Sequence, residues 1–224
     1  LAVGAPGQAQ QAAATPPPIR IDDTMAPLAK PVPDAAQLAE FDAFVEGVRK
    51  EFDVPGIAVA IVKDGEVVLA KGYGERELGK PAKVDADTLF AIASNTKAFT
   101  ATALAILADE GKLSLDDKVI DHLPWFQMSD PYVTREMTIR DLLSHRSGLG
   151  LGAGDMLFWP ATSYSTKEVV QRLRHVPLAT SFRSAYAYDN ILYAVAQLVI
   201  EQVSGQSYAE FVAFRIFRPV GMRN

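Results

Sequence analysis

The stretch Phe90-Ala-Ile-Ala-Ser94-Asn-Thr-Lys97-Ala-Phe-Thr-Ala-Thr-Ala-Leu-Ala-Ile-Leu-Ala108 is the one whose reading decides the fold. From Ala98 to Ala108 it is apolar on nearly every side, broken only by Thr100 and Thr102. A helix that is hydrophobic all round belongs in a core or a membrane. This run is too short and too rich in alanine to span a bilayer, so it predicts a buried central helix. Gly111 ends it, as glycine does just past a helix. The apolar residues before it, Phe90 to Ala93, read as a strand-like run.

At the mouth of this helix Ser94 and Lys97 stand three residues apart, on one face of the first turn. An ammonium buried without a partner is costly, and desolvation drives such a group toward its neutral form. A lysine able to release its proton beside a serine hydroxyl is a base beside a nucleophile. The helix start adds backbone N–H groups suited to a developing negative charge. Alone, the pair also fits a lysine that snorkels out of the first turn. Its place, after an apolar strand-like run and opening an apolar helix, puts the chemical reading on an equal footing with that one.

Composition narrows the field. At 224 residues and 49% hydrophobic content the chain can bury a sizeable core. A net charge of −5 with no basic cluster offers nothing to nucleic acid. The absence of cysteine excludes disulfides, thiolate metal sites and cysteine nucleophiles. Three scattered histidines give no zinc site, and neither metal nor cofactor is expected. No apolar run is long enough to span a membrane, so no transmembrane segment is expected. Residues 1–33 are rich in Ala, Gln and Pro and read as a disordered tail. Small residues such as Gly7-Gln8-Ala9 fit the end of a secretory signal, so the protein is expected to be exported, to the periplasm or beyond.

After the tail, Asp34 with Gln37 forms a capping box for a helix over about Ala35 to Phe52, with Leu38, Phe41, Val45, Val48 and Phe52 at helical spacing. Ile57 to Val62 and Val67 to Lys71 flank Lys63-Asp64-Gly65-Glu66, a hairpin signal. Gly72 to Asp87 reads as a charged surface excursion. Ser114 predicts another helix start, running to Pro124, and Thr138 with Asp141 caps a short helix. A loop from Gly150 to Tyr164 follows; ordered loops of this length are often functional, but its residues carry no readable specificity. His145, just before it, reads as a residue that ties the turn down. Ser165 with Glu168 caps a helix to His175. Ile191 to Val203 is strongly apolar and ended by Gly205, and Ser207 with Glu210 caps the last helix.

Before the Ile191 helix stands Tyr186-Ala-Tyr188-Asp-Asn190. In an extended segment Tyr188 and Asn190 leave on one side. As a plain helix start, Asp189 or Asn190 would cap and Tyr188 would pack. As chemistry, a phenol beside an ammonium relays a proton and a side-chain amide orients a polar substrate.

Ser94-x-x-Lys97 followed by Tyr188-x-Asn190 resembles the penicillin-recognising serine hydrolases of the class C β-lactamase, D,D-peptidase and family VIII esterase type. Val54-Pro-Gly-Ile-Ala-Val, Lys63-Asp-Gly65, Leu142-Leu-Ser-His-Arg-Ser-Gly-Leu149 and Ile216-Phe-Arg-Pro-Val-Gly-Met222 carry the likeness from about residue 35 onward. The resemblance implies an α+β, β-lactamase/transpeptidase-like fold: an antiparallel sheet flanked by helices beside an all-helical lobe. On this chain that gives residues 34–93 as the start of the α/β part and 94–224 as a mainly helical lobe. It implies Ser94 as acylated nucleophile, Lys97 and Tyr188 as proton-transfer groups, and Asn190 as the substrate's amide contact. The implied reaction is acyl-enzyme hydrolysis of a β-lactam, an ester or a D-amino-acid peptide.

One departure stands out. The family's third motif, a Lys-Thr-Gly or His-x-Gly strand, has no match between Ile191 and Asn224. A lone hairpin is also a marginal sheet. A further C-terminal segment, or a second chain, is therefore expected to complete the sheet. The other reading is a non-catalytic, penicillin-binding-like binding or assembly module. Retention of Ser94, Lys97, Tyr188 and Asn190 favours the enzyme.

Overall fold

The computed structural model describes residues 33–222, which divide between Thr88 and Leu89 into two compact units. The expected tail and export signal lie, apart from Pro33, outside the described residues.

In the first unit, α1 (Ala35–Glu51) opens on the expected capping box: the Gln37 N–H donates to Asp34 Oδ1 at 2.8 Å, and the Asp34 N–H donates to Gln37 Oε1 at 3.0 Å. Of its apolar stripe only Val45 is buried, and Phe52, past its end, is exposed. Strands β1 (Gly56–Lys63) and β2 (Glu66–Gly74) pair antiparallel, with an irregularity between Ile61 and Val62. Asp64 and Gly65 both take positive φ, 53° and 81°, as a primed two-residue turn requires. Asp42 ties α1 to β2, accepting from Lys71 at 2.7 Å and from the Tyr73 hydroxyl at 2.6 Å. The charged excursion begins three residues later than expected, after Gly74, and folds back on β2. Its Val84 lies so close to Gly72 that a Cβ there would sit 2.3 Å from the Val84 carbonyl.

The second unit is helical. Its elements are α2 (Thr96–Asp109), α3 (Val119–His122), α4 (Pro131–Glu136), α5 (Ile139–Ser144), α6 (Thr166–Gln171), α7 (Ile191–Ser204) and α8 (Tyr208–Val212). The hub is α7 rather than α2: α2, α3, α5, α6 and α8 all pack against it. Ile191, Leu192, Val195, Ala196, Val199 and Ile200 are buried together along it. Each large aliphatic side chain so buried contributes about 1.5–3 kcal/mol.

Helix α2 is not buried on every side. Thr100, Ala103, Leu104 and Leu107 face the core, while Ala98, Thr102 and Ala105 form an exposed line. Small side chains cost little in water, so an apolar count overstates the burial of an alanine-rich helix. Its end is as expected: Gly111, at φ 68°, donates to the Ala108 carbonyl at 2.9 Å and Lys112 to that of Leu107 at 2.9 Å, a Schellman ending. Phe90 to Ile92 form no strand, and Leu89, Phe90 and Ile92 are exposed.

Two helix boundaries depart from expectation. The helix expected from Ser114 is reduced to the single turn α3. Asp117 is held by the Ser114 N–H at 2.7 Å and by His122, while Lys118 stays extended opposite Thr138. Helix α4 was not expected, although its start is chemically plain: Asp130 accepts from the N–H groups of Tyr132 and Val133, and Pro131 occupies the first turn. The capping boxes at Thr138, Ser165 and Ser207 all form. Among the described residues no helix is long and apolar enough to cross a membrane.

Candidate active site

Ala93 carries φ 43°, a left-handed backbone that costs a non-glycine residue about 1 kcal/mol or more. That strained residue opens the 3₁₀ turn Ala93–Asn95 and lifts Ser94 to the surface at the head of α2. Lys97, one turn on and half-buried, brings Nζ to 3.2 Å from Ser94 Oγ.

The opposite wall is built by the 142–149 stretch. His145 closes α5 in the left-handed region, φ 56°. Its carbonyl accepts from the Ala187 N–H at 3.0 Å, and the Arg146 carbonyl accepts from the Arg183 N–H at 2.8 Å. The Arg183 guanidinium donates to both carboxylate oxygens of Asp141, at 2.9 and 2.6 Å. These bonds moor the 183–190 segment along α5. His145 does tie the turn down: its Nδ1 accepts from the Asp189 N–H at 3.3 Å, and its ring lies 4.5 Å from that of Tyr188. Burial first, and the Lys97 charge second, hold His145 below the usual histidine pKa.

So moored, Tyr188 and Asn190 both reach the head of α2. The Tyr188 hydroxyl lies 2.5 Å from Ser94 Oγ. Lys97 Nζ donates to Asn190 Oδ1 at 2.7 Å and sits 4.8 Å from the centre of the Tyr188 ring. All four residues singled out in the sequence, Ser94, Lys97, Tyr188 and Asn190, therefore meet in one hydrogen-bonded cluster. Lys97 is not unpartnered: two acceptors and the faces of Tyr188 and Tyr193 surround it. The loosened proton is that of Tyr188, whose pKa is lowered by Lys97 first and by the Ser94 hydrogen bond second, against the effect of burial.

One member of the cluster was not legible in the sequence, and of the two expected caps it is Asp189 that serves. Asp155, in the 150–164 loop, accepts from Asn190 Nδ2 at 2.9 Å. Asp189, fully buried, caps α7 by accepting from the Leu192 N–H at 3.3 Å, while Asn190 turns its amide to Lys97 and Asp155 instead. Behind the Lys97–Asn190 contact lies a cavity of about 300 Å³, walled by Thr100, Phe158, Tyr164, Val169 and Tyr208 among others. Among the described residues no cluster of side chains suits a metal ion.

Asp189 carries a prediction. Burial raises its pKa from 3.8 to about 6, so its ionised form is disfavoured in the folded protein. Stability from the neutral form is fully present below the unfolded pKa and is lost as pH rises through the folded one. A rise of roughly two units corresponds to a ceiling of about 3 kcal/mol. Asp189→Asn keeps the capping oxygen without the charge. Its urea midpoint should therefore gain on the parent's between pH 4 and about 7, whereas a difference that stays flat with pH would contradict this account.

Comparison with known proteins shows the family and the fold. A family model described as Beta-lactamase matches residues 41–224. Protein flp of Staphylococcus aureus (strain MW2) is 32% identical over 188 residues, covering 83% of this chain and 37% of that protein. Among solved structures, the octameric penicillin-binding protein homologue from Pyrococcus abyssi superposes with a TM-score of 0.72 at 30% identity, over 83% of this chain and 43% of that one. The D-amino acid amidase from Ochrobactrum anthropi SV3 gives 0.68 at 28% identity, over 82% and 50%. The chain thus spans about half or less of the length of these relatives. Its α+β architecture is β-lactamase/transpeptidase-like, and the chain belongs to the beta-lactamase family.

Proposed function

We propose that Ser94 is the nucleophile of an acyl-enzyme hydrolase acting on an amide, ester or β-lactam carbonyl. The observation that carries this reading is the placement of Ser94 Oγ between the Tyr188 hydroxyl, at 2.5 Å, and Lys97 Nζ, at 3.2 Å. In the acylation step Ser94 Oγ bonds to the substrate carbonyl carbon and passes its proton to the Tyr188 oxygen. The Lys97 ammonium stabilises the phenolate form of Tyr188. The proton then goes to the leaving nitrogen or oxygen as its bond to the carbonyl carbon breaks. Water, deprotonated along the same path, releases the acyl group and restores Ser94. Asn190 holds the substrate amide. The backbone N–H of Ser94 supplies one donor for the oxyanion. The amidase neighbour supports an amide as substrate class.

A fluorescent penicillin and a fluorophosphonate test the reading. Mass spectrometry should place either adduct on Ser94. An adduct on Ser147 or Ser184 would overturn the assignment of Ser94, and no adduct with any acylating probe would favour a binding module. The second oxyanion donor is assigned to a strand bearing the Lys-Thr-Gly or His-x-Gly motif, in the same chain or in a second one. Supplying such a strand should raise turnover of a nitrophenyl ester by about 10²–10³-fold over residues 1–224 alone. Equal turnover with and without it would show that the donor lies within this chain.

A further inference from the structure

Asn190 meets two partners of opposite kind. A carboxylate can only accept hydrogen bonds and an ammonium can only donate them. With Asp155 Oδ2 at 2.9 Å from one end of the amide and Lys97 Nζ at 2.7 Å from the other, only one orientation satisfies both: Nδ2 toward Asp155, Oδ1 toward Lys97. Without Asp155, the amide would be held at its Lys97 end alone, and its Nδ2 end would no longer be fixed.

The 150–164 loop is built to hold that carboxylate in place. The Gly152 N–H donates to the Tyr188 carbonyl at 2.9 Å, docking the loop directly on the segment that carries Asn190. Gly154, at φ 84°, passes so near the start of α7 that a Cβ there would lie 2.8 Å from Ile191 Cδ1. A side chain at 154 would have to displace the Ile191 side chain, and the positive φ there disfavours any residue but glycine. The second carboxylate oxygen, Asp155 Oδ1, is buried without a partner among the described residues. An orphaned buried oxygen is destabilising, so a role in stability alone does not account for this residue.

We infer that Asp155 is a positioning residue: it fixes the Asn190 amide so that Lys97 stays anchored beside Ser94. This rests on the proposed role of Ser94 and extends it by one hydrogen bond. Asp155→Asn keeps an acceptor for Asn190 Nδ2, and Asp155→Ala removes it.

The test measures the rate of Ser94 acylation by a nitrophenyl ester together with the melting temperature. Asp155→Ala should lose about 10–100-fold in rate with no loss of melting temperature, and Asp155→Asn should stay within about 3-fold of the parent. Asn190→Asp sets two carboxylates against each other. Adding Asp155→Asn to it reverses the donor and acceptor between the two positions and should recover about 10-fold or more. Full activity in Asp155→Ala, or no recovery in the double variant, would overturn the assignment. A readout independent of catalysis separates this from a failure of the Ser94 reading. The Asn190 side-chain amide protons should exchange slowly in the parent and quickly in Asp155→Ala, and equal exchange would also overturn it.

Discussion

Ser94→Ala is expected to abolish covalent labelling and to lower turnover by on the order of 10⁶-fold, since removing the nucleophile of a cooperating set removes nearly all of its catalysis. What survives should come from binding and oxyanion stabilisation alone. Ser94 is exposed, so the substitution should leave the melting temperature unchanged and any loss is chemical. Ser147 and Ser184 are the controls. Ser147 is buried, with its hydroxyl accepting from the Leu149 N–H at 3.1 Å, and the Ser184 hydroxyl donates to the Ser181 carbonyl at 2.7 Å. Alanine at either position should keep Ser94 labelling. Labelling that persists in Ser94→Ala would refute the assignment of the nucleophile outright.

The strain at Ala93 bears on the same residue. A left-handed alanine is unfavourable, and such backbone survives only where the surrounding structure enforces it. Ala93→Gly should therefore relax the turn and raise stability. It should also loosen the aim of Ser94, lowering acylation while the melting temperature rises. A variant that gains stability at full acylation rate would show that the strain plays no part in positioning Ser94.

Local chemistry explains which features were readable in advance. Capping boxes at Asp34, Thr138, Ser165 and Ser207 involve residues three apart, so sequence spacing suffices to place them. The Asp64-Gly65 turn and the glycine endings of α2 and α7 are equally local. Burial is not. The alanine-rich α2 reads as the centre of the fold, yet α7, with large aliphatic side chains along its buried face, is the element on which the others pack. Ser114 fails as a helix start because a long-range pairing of Lys118 with Thr138 keeps the chain extended. Within the site, Ser94 with Lys97 and Tyr188 with Asn190 are visible because each pair is short in sequence. Asp155 is not, because it meets Asn190 from 35 residues away through a loop without periodicity. The Gly152 and Gly154 pair was the available signal: two glycines at positive φ immediately before an acidic residue mark a close backbone approach.

The proton path supplies the sharpest remaining test. Lys97→Ala and Tyr188→Phe should each slow acylation by about 10²–10⁴-fold, the usual scale of general acid–base assistance. The two groups are coupled: Tyr188 has its pKa lowered by Lys97 first and Ser94 second, and Lys97 is itself seated against the Tyr188 ring at 4.8 Å. Removing Lys97 withdraws the charge that favours the phenolate, so much of the benefit of Tyr188 goes with it. The double variant should then be slower than either single one by far less than the product of their separate losses. The pH dependence carries the same logic. If Tyr188 accepts the proton, acylation should rise with pH along a limb lying below the ordinary tyrosine value of 10.0. In Lys97→Ala that limb should move upward, and in Tyr188→Phe it should vanish. Strictly multiplicative losses, together with a limb unmoved by Lys97→Ala, would mean that the two residues act independently, and that the proton leaves Ser94 by another route.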